Sequence, residues 1–290
     1  MRQNQEMKTM RLILLAIATT TAASAQNYAI HMSAPVPAGQ RFSVSSIGST
    51  LKRNSSGDRV LKEVDYQVQF QGRAAILDVD GKGRPVKIAF TVEKLTKTER
   101  GTTIDLLKPG SVVVADGSLE QPIYLKDGTM DESVREAFRL VYSTHKPDDV
   151  TDDEVFGTKQ AKRIGDRWPI DLALASENLK DSGVVIPVEH LSGTVSLIAK
   201  NKIGVVDCLD LRGELRADEF TMKQLPPGVT ADRAGMQAVF RGCFPVESSQ
   251  LSHKEGFDMT MQIRLTSSEG VKIDVIVSET RDAVWMGARD

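Results

Sequence analysis

The chain has 290 residues, a length that fits one large domain or two modest ones and is ample for a buried core. Hydrophobic residues make up 40% and charged residues 26% of the sequence, which excludes a collagen-like, a disulfide-dense or a wholly disordered chain. The formal net charge of −2 excludes a globally basic nucleic-acid binder. The composition therefore indicates a globular protein, with no nucleic acid expected as a partner.

The N-terminus has the three parts of a secretory signal peptide. Lys8 and Arg11 lead into an apolar run over 12–18, and a stretch rich in Thr and Ala follows that ends in Ala-Ser-Ala. This pattern predicts cleavage after Ala25 and export to the periplasm or the extracellular space. A membrane anchor would need a longer apolar run, and no later stretch is long enough to span a bilayer. We therefore expect residues 1–25 to be removed and no transmembrane segment to remain.

Alternation of apolar and polar residues predicts strands through most of the chain. One hairpin is expected over 74–92, with a turn at 78–85 that is rich in Gly and Asp. A more regular hairpin is expected over 257–277, where the alternation continues on both sides of a Ser-Ser-Glu-Gly turn. Each strand has one polar face, which favours antiparallel pairing over a parallel sheet.

Helices are expected only in the middle of the chain. The segment from Thr129 to Glu132 fits a capping box, which predicts a helix start there. The apolar residues that follow recur at helical spacing and form one stripe: Val134, Ala137, Phe138 and Val141. A second short helix is expected over 172–179, ended by Gly183, whereas the acidic stretch 146–154 is interpreted as a surface connection.

The expected fold class is mainly β (α+β). Either one large curved antiparallel sheet or two β-rich lobes would carry a few helices on the concave face. The expected domains are an N-terminal β-rich half with the capped helix (26–145) and a C-terminal β-rich half (146–290), or one continuous domain over 26–290. A single curved sheet covered by helices would enclose an apolar hollow. Whether the chain forms one such sheet or two lobes therefore affects which functions are possible.

Cys208 and Cys243 are predicted to form a disulfide. Each lies off the main apolar row of its predicted strand, so the two thiols would meet if the strands were neighbours. An exported protein also encounters oxidising conditions. Two free thiols are the alternative, and a catalytic cysteine is disfavoured because no histidine-bearing motif surrounds either residue.

Motifs for catalysis or metal binding are absent from the sequence. The segment 78–81 matches the start of a calcium loop, but the position that needs a Glu ligand holds Ala89, so a hairpin turn explains it better. The acidic group within 148–154 fits a solvated loop and helix start, and the four histidines lack metal-ligand spacing. We therefore expect no cofactor and no catalytic, cofactor-binding or metal-binding residue, although a dispersed active site stays open.

Two short segments carry a family resemblance. The segment Ile164-Gly165-Asp166-Arg167-Trp168 and the turn at 78–85, taken with the signal peptide, resemble uncharacterised exported bacterial β-rich proteins. That resemblance implies no activity. In architecture the chain also resembles the lipoprotein-carrier half-barrels, in which a curved sheet is covered by helices over an apolar cavity. No carrier motif matches residue by residue, so no site is transferred from that family.

These observations predict an exported, non-enzymatic binding or scaffold protein that carries an apolar or acyl ligand, a small molecule or lipid, between sheet and helices. The candidate pocket residues are Met259 and Met261 on the second hairpin and Phe138 on the capped helix. One alternative is a purely structural or protein-interaction module of the cell envelope, in which the same residues fill a dry core. The other is a hydrolase with a dispersed site.

Overall fold

The computed structural model describes residues 26–287 except positions 34, 182 and 224, so the predicted signal peptide lies outside the described residues. The protein is mainly β. Its strands, numbered in chain order, are β1 (Arg41–Ser56), β2 (Arg59–Val79), β3 (Pro85–Glu99), β4 (Thr102–Asp105), β5 (Val112–Asp116), β6 (Ile123–Leu125), β7 (Arg167–Pro169), β8 (Val184–Val185), β9 (Leu191–Ile203), β10 (Val206–Ala217), β11 (Thr221–Met222), β12 (Val229–Pro245), β13 (His253–Ser267) and β14 (Lys272–Gly287). Its helices are α1 (Glu132–Val141), α2 (Asp152–Val155) and α3 (Leu172–Asp181), with a 3₁₀ turn at Val188–His190.

Twelve strands form one open antiparallel sheet. Their order is β6-β5-β3-β2-β1-β14-β13-β12-β10-β9-β7, with β4 beside β3, while β8 and β11 pair separately. The first long strand lies against the last, because β1 pairs with β14 from Phe42 opposite Gly287 to Ser55 opposite Asp274. This pairing joins the two halves of the chain, so a single large sheet is present rather than two separate ones.

All three helices pack on one face of this sheet, which we call the inner face; the opposite face is the outer face. Along β1 the residues from Arg41 to Thr50 alternate between exposed or half-buried and buried. Val44 is buried on the inner face, where Gly72 of β2 and Trp285 of β14 flank it. Side chains on a strand point alternately to the two faces of the sheet. Because the helices cover only the inner face, every second side chain is buried.

Two apolar clusters occupy the inner face. The N-terminal cluster lies between α1 and strands β1, β2, β3 and β5, and its largest fully buried side chains are Phe70, Phe90 and Phe138. The C-terminal cluster lies between α2, α3 and strands β9, β10 and β12, with Val195 and Leu197 at its centre. Each half of the sheet thus buries its apolar face under its own helices.

The predicted hairpins agree with the observed strands. Strands β2 and β3 meet at the Asp80 turn, and β13 and β14 pair in register with Met261 opposite Val277. The predicted stripe of α1 is buried, but its predicted start is wrong. Asp131, not Thr129, is the N-cap residue, and its side chain makes no capping hydrogen bond.

A capping box does occur, but at α2. The Thr151 Oγ1 accepts a hydrogen bond from the Glu154 amide at 3.1 Å, and the Glu154 carboxylate accepts one from the Thr151 amide at 2.7 Å. The sequence Thr-x-x-Glu was therefore present in the acidic stretch that we interpreted as a surface connection. Its short helix is one of the elements that cover the C-terminal cluster.

Residues 26–33, here called the N-terminal strap, cross to the far half of the sheet. Tyr28, Ile30 and Met32 are buried in the C-terminal cluster. The Asp153 carboxylate of α2 accepts hydrogen bonds from the amides of Met32 and Ser33 at 2.6 and 3.1 Å. The beginning of the described chain thus completes the core formed by its later part.

Candidate functional site

An apolar cleft lies between the two short helices and the inner face of the C-terminal half. Its volume is about 130 Å³, and among its lining side chains only Asn178 is polar. The lining residues are Val155, Phe156, Ala175, Asn178, Leu179, Gly213, Leu215, Met236, Ala238, Phe240, Phe257 and Met259. The cleft therefore offers hydrocarbon contacts with almost no hydrogen-bonding groups.

Hydrogen bonds to backbone groups hold the helical wall of the cleft in place. The Trp168 indole donates to the carbonyl of Phe156 at 2.7 Å, just after α2 ends. The Asp171 amide donates to the carbonyl of Val155 at 2.9 Å. The Asp171 carboxylate also accepts from the amides of Ala173 and Leu174, at 3.1 Å each, and so caps α3. The buried Trp168 thus has a structural role in fixing the wall.

Glycine and aromatic residues form the floor. The Phe240 ring lies over Gly213, where an added Cβ would be 2.5 Å from a ring carbon. A side chain at Gly213 would therefore displace the ring. The Phe240 ring is also tilted against that of Phe156 at a centroid distance of 5.2 Å, so one aromatic pair links the floor to the wall.

An apolar strip continues from the cleft along the central strands. We call Met236, Met259, Met261, Val275 and Val277 the methionine strip. Met261 lies between Met236 on β12 and Val277 on β14. Except for Met236, these side chains are half-buried, whereas Val195 and Leu197 of β9 are fully buried. The strip therefore extends the apolar surface of the cleft beyond its helical cover.

Charged residues border the apolar surface on its β14 side. Arg281 lies opposite Phe257, and Glu279 lies opposite Met259. The Arg281 guanidinium donates to the Ser143 hydroxyl, and Glu279 lies 3.6 Å from the Lys52 ammonium. The inner face thus changes from apolar to charged within one strand spacing.

Two carboxylates complete this border. Glu255 precedes Phe257 by two residues and shares its inner face, and Asp152 begins α2. The surrounding protein displaces water near Asp152 and raises the pKa of its carboxyl, although the side chain remains exposed. His145 and Arg281 oppose this rise in pKa, and Glu255 adds to it. The border therefore combines charges of both signs that interact with one another.

The structure separates the three predicted pocket residues. Met259 lines the cleft, and Met261 follows it on the same face of β13. Phe138 lies outside the cleft and is fully buried in the N-terminal cluster. Its ring centroid lies 5.5 Å from that of Phe70 and 5.4 Å from that of Phe90. Sequence reasoning predicted the α3 part of the helical wall, as a helix over 172–179, but did not single out the α2 part, for which the capping box at Thr151 was a signal.

The disulfide prediction is confirmed. Cys208 and Cys243 are joined on neighbouring strands β10 and β12, with a Cα separation of 5.4 Å. Among the residues that the structure describes, these sulfurs and the Asp210 carboxylate are the one grouping of three possible metal ligands. Both sulfurs are already used in the disulfide, so the grouping offers no set of thiolate ligands.

A second, polar depression of about 330 Å³ lies beside the disulfide. Its two arginines are already paired on the outer face. Arg241 lies 2.7 Å from the Asp258 carboxylate, and Arg212 lies 3.0 Å from that of Glu214. Each arginine of the depression therefore already has a carboxylate partner in the protein.

The two acidic segments considered for calcium have protein partners. The Asp80 carboxylate accepts hydrogen bonds from the amides of Lys82 and Arg84, and the Arg84 guanidinium lies 2.8 Å from it. These bonds lower the pKa of Asp80. In the second segment Glu154 lies 2.8 Å from the Lys82 ammonium. The interpretation of both segments as turn and helix-start structure fits these contacts.

Comparisons with known proteins gave no assignment. No protein-family model matches the sequence, and no curated protein matches it. A structure titled "Lipid-protein interactions in lipovitellin" is 8% identical, with a TM-score of 0.39 over 87% of this chain and 25% of that one. The chain thus spans about a quarter of the lipovitellin structure that it matches.

Two bacterial structures are less similar still. P47 from Clostridium botulinum A2 is 9% identical, with a TM-score of 0.17 over 77% of this chain and 75% of that one. OmpF from Salmonella typhi is 8% identical, with a TM-score of 0.20 over 84% of this chain and 98% of that one. These scores are too low to indicate a shared fold. Within the described residues, no helix has the length and apolar character needed to cross a membrane.

Proposed function

We propose that this protein is an exported, non-enzymatic binding protein that holds the hydrocarbon chain of an amphiphile in the apolar cleft. The observation that carries the proposal is the continuity of the cleft with the methionine strip. Met236 and Met259 belong to both surfaces. A bound chain could therefore start under the helices and continue along the sheet.

The size of the cleft favours a single hydrocarbon chain. An engineered apolar cavity of about 150 Å³ in another protein binds benzene, so a cleft of about 130 Å³ accommodates a short hydrocarbon segment. The strip crosses three strands, which corresponds to about 10 Å of further apolar surface. Methionine side chains are flexible and polarizable, which suits an irregular or mobile ligand.

The binding energy expected from this surface is moderate. Transfer of one methylene group from water to an apolar site gains about 0.8 kcal/mol, so about six methylenes gain roughly 5 kcal/mol. Association entropy offsets part of that gain. Because about 4 kcal/mol corresponds to a millimolar Kd, we expect weak, reversible binding unless the head group adds contacts.

The disulfide supports export. Disulfides persist in oxidising compartments and are rare in the cytosol. The Cys208–Cys243 bond links two adjacent strands of the sheet. This agrees with the signal peptide expected from the sequence. We therefore propose that the protein acts in the periplasm or the extracellular space.

Binding of N-phenyl-1-naphthylamine, an apolar dye that becomes fluorescent outside water, tests the proposal. Ala238 lines the cleft, so Ala238→Phe should fill it and abolish the fluorescence increase. Val239, the next residue on β12, lies on the outer face, so Val239→Phe is the matched control and should keep the wild-type signal. Lipid extraction and mass spectrometry of the purified protein should recover a co-purified amphiphile.

Several outcomes would contradict this function. If the dye fails to bind, or binds Ala238→Phe as well as wild type, the cleft is not the site. If, in addition, no lipid is extracted, the scaffold alternative replaces the binding function. Thermal unfolding of both variants establishes that any lost signal does not reflect lost structure.

A further inference from the structure

We infer that the amphiphile carries a zwitterionic head group, with its anionic part at Arg281 and its cationic part between Glu255 and Asp152. This inference rests on the proposed function and assigns the chemical class of its ligand. It is drawn from the charged border of the cleft.

The border lies directly beside the wall of the cleft. Phe257 lines the cleft and is the cross-strand neighbour of Arg281. Glu255 is the next inner-face residue along β13, so it lies diagonally from Arg281, at a typical backbone separation of about 7–8 Å. Asp152 begins the helix whose last residue, Val155, also lines the cleft. A hydrocarbon chain in the cleft therefore places its head group among these three residues.

Within the described residues, none of these three charges has an ion-pair partner within 4.0 Å. Within the described part of the chain, Arg281 has no carboxylate within 4.0 Å, and its hydrogen-bond partner is the Ser143 hydroxyl. By the same measure, the Glu255 and Asp152 carboxylates have no ion-pair partner. Arg281 and Glu255 are also half-buried, so they retain less solvation than freely exposed charges. Both signs are thus available to a ligand.

The mixture of signs favours a zwitterion over a singly charged head. An anion bound at Arg281 would be close to the carboxylates of Glu255, Glu279 and Asp152, which would repel it. A cation bound at Glu255 would be repelled by Arg281. A head with a phosphate ester and an ammonium group joined by a two-carbon bridge can satisfy both sites. Arginine binds phosphate oxygens with paired hydrogen bonds, which suits the anionic part.

Isothermal titration with four dodecyl amphiphiles tests this inference on the chain over 26–290, after lipid removal. The probes are dodecylphosphocholine, dodecyl sulfate, dodecyltrimethylammonium and dodecyl maltoside, each below its micelle concentration. We expect dodecylphosphocholine to bind about tenfold or more tightly than the other three, because two charge-assisted contacts form only with that head. Arg281→Gln and Glu255→Gln should each reduce its affinity to about that of the maltoside.

Controls on the outer face separate local contacts from net charge. Lys254→Gln and Glu214→Gln change the charge in the same way on strands β13 and β10, but their side chains lie on the outer face. Both should keep the preference for phosphocholine. Thermal unfolding of all four variants verifies that they are folded.

The outcomes distinguish this inference from the proposed function. Equal binding of all four probes would leave the hydrocarbon site in place and overturn the zwitterionic head. Tightest binding of the sulfate, with no loss in Glu255→Gln, would overturn it in favour of an anionic head. Tightest binding of the trimethylammonium probe, unaffected by Arg281→Gln, would overturn it in favour of a cationic one. Failure of every probe to bind would contradict both proposals.

Discussion

The two halves of the inner face are covered by helices in different ways. Under α1, the Phe70, Phe90 and Phe138 rings pack edge to face at centroid distances of 5.4 to 5.7 Å and are fully buried. Under α2 and α3, Phe156 and Phe240 are only half-buried, and a cleft remains beside them. One sheet therefore supports a filled core at one side and an open one at the other.

The difference follows from the helices rather than from the strands. Helix α1 presents four buried apolar residues on one stripe: Val134, Ala137, Phe138 and Val141. In α3 the corresponding apolar positions include small Ala175, and α2 has a single turn with one buried residue, Val155. Helix α3 is as long as α1, but Ala175 is its one buried residue among those described, so space over the sheet stays unfilled. Reduced cover, not a special strand sequence, leaves the apolar cleft open.

The largest expected effect comes from separating the halves. We propose that the described chain folds as one unit, because the strap buries Tyr28, Ile30 and Met32 in the other half and β1 pairs with β14. Fragments 26–145 and 146–290 expressed alone should therefore lack cooperative unfolding transitions. Two independent melting transitions that reproduce those of the whole chain would show two domains instead.

Within the filled core, Phe138→Ala should lower the free energy of unfolding by about 3–5 kcal/mol, through lost transfer energy and a cavity. Arg139→Ala is the neighbouring control. Arg139 is exposed, and its 3.4 Å contact with Glu132 is a surface ion pair, so the change should be near zero. Denaturant unfolding measures both values. Equal losses would mean that the stripe of α1 does not face the sheet.

In the open half, the disulfide compensates for the weaker core. The bond joins residues 35 positions apart, and closing such a loop contributes about 3–4 kcal/mol in the chain-entropy model. A reductant should lower the unfolding free energy of the wild-type protein by that amount. The double variant Cys208→Ala/Cys243→Ala should show no response to reductant. A wild-type protein that also fails to respond would contradict the prediction.

Residues that line the cleft should contribute less to the free energy of unfolding than residues in a filled core. Met259 is half-buried, so Met259→Ala should cost about 1 kcal/mol or less, since it creates little new cavity. Leu197, fully buried in the same half, is the matched control, and Leu197→Ala should cost about 2–5 kcal/mol. Urea unfolding compares them. A cost for Met259→Ala that equals the control would indicate that the cleft is closed in solution.

The smallest effect concerns pH. Hydrogen bonds from the Lys82 ammonium and the Thr151 amide lower the pKa of Glu154 from 4.5 to about 2. Because its pKa is lower in the folded state, Glu154 stabilises the fold fully above pH 4.5, and this contribution is lost as pH falls toward 2.

Glu154→Gln should remove that part of the acid sensitivity and cost less than about 1 kcal/mol at neutral pH, since the ion pair is solvent-screened. Thermal unfolding between pH 2 and 6 tests it, with Glu120→Gln, an exposed residue in a turn, as the control. An unchanged pH profile in Glu154→Gln would show that this bond does not stabilise α2.

Sequence alone predicted what depends on local alternation. The period of two over β13 and β14 was sufficient to place Met259 and Met261 on one face, and the same parity predicted the Cys208–Cys243 bond. Within 148–154 only a loop and a helix start were expected, because Pro147 and the acidic residues drew attention away from the capping signal that begins α2 (Asp152–Val155). The cleft itself was beyond local reasoning, because its wall and floor residues lie 34 to 104 positions apart in the chain.

The pairing of β1 with β14 also constrains when the sheet can form. In the described sheet, the strand that leaves the ribosome or a translocation channel first has one neighbour that arrives last. Contacts between such distant residues slow folding, because the intervening chain must be ordered before they form. Until β14 arrives, β1 therefore has a free edge. The central part of the sheet, and with it the charged border around Arg281, is completed only after β14, the last strand of the described sheet, has been added.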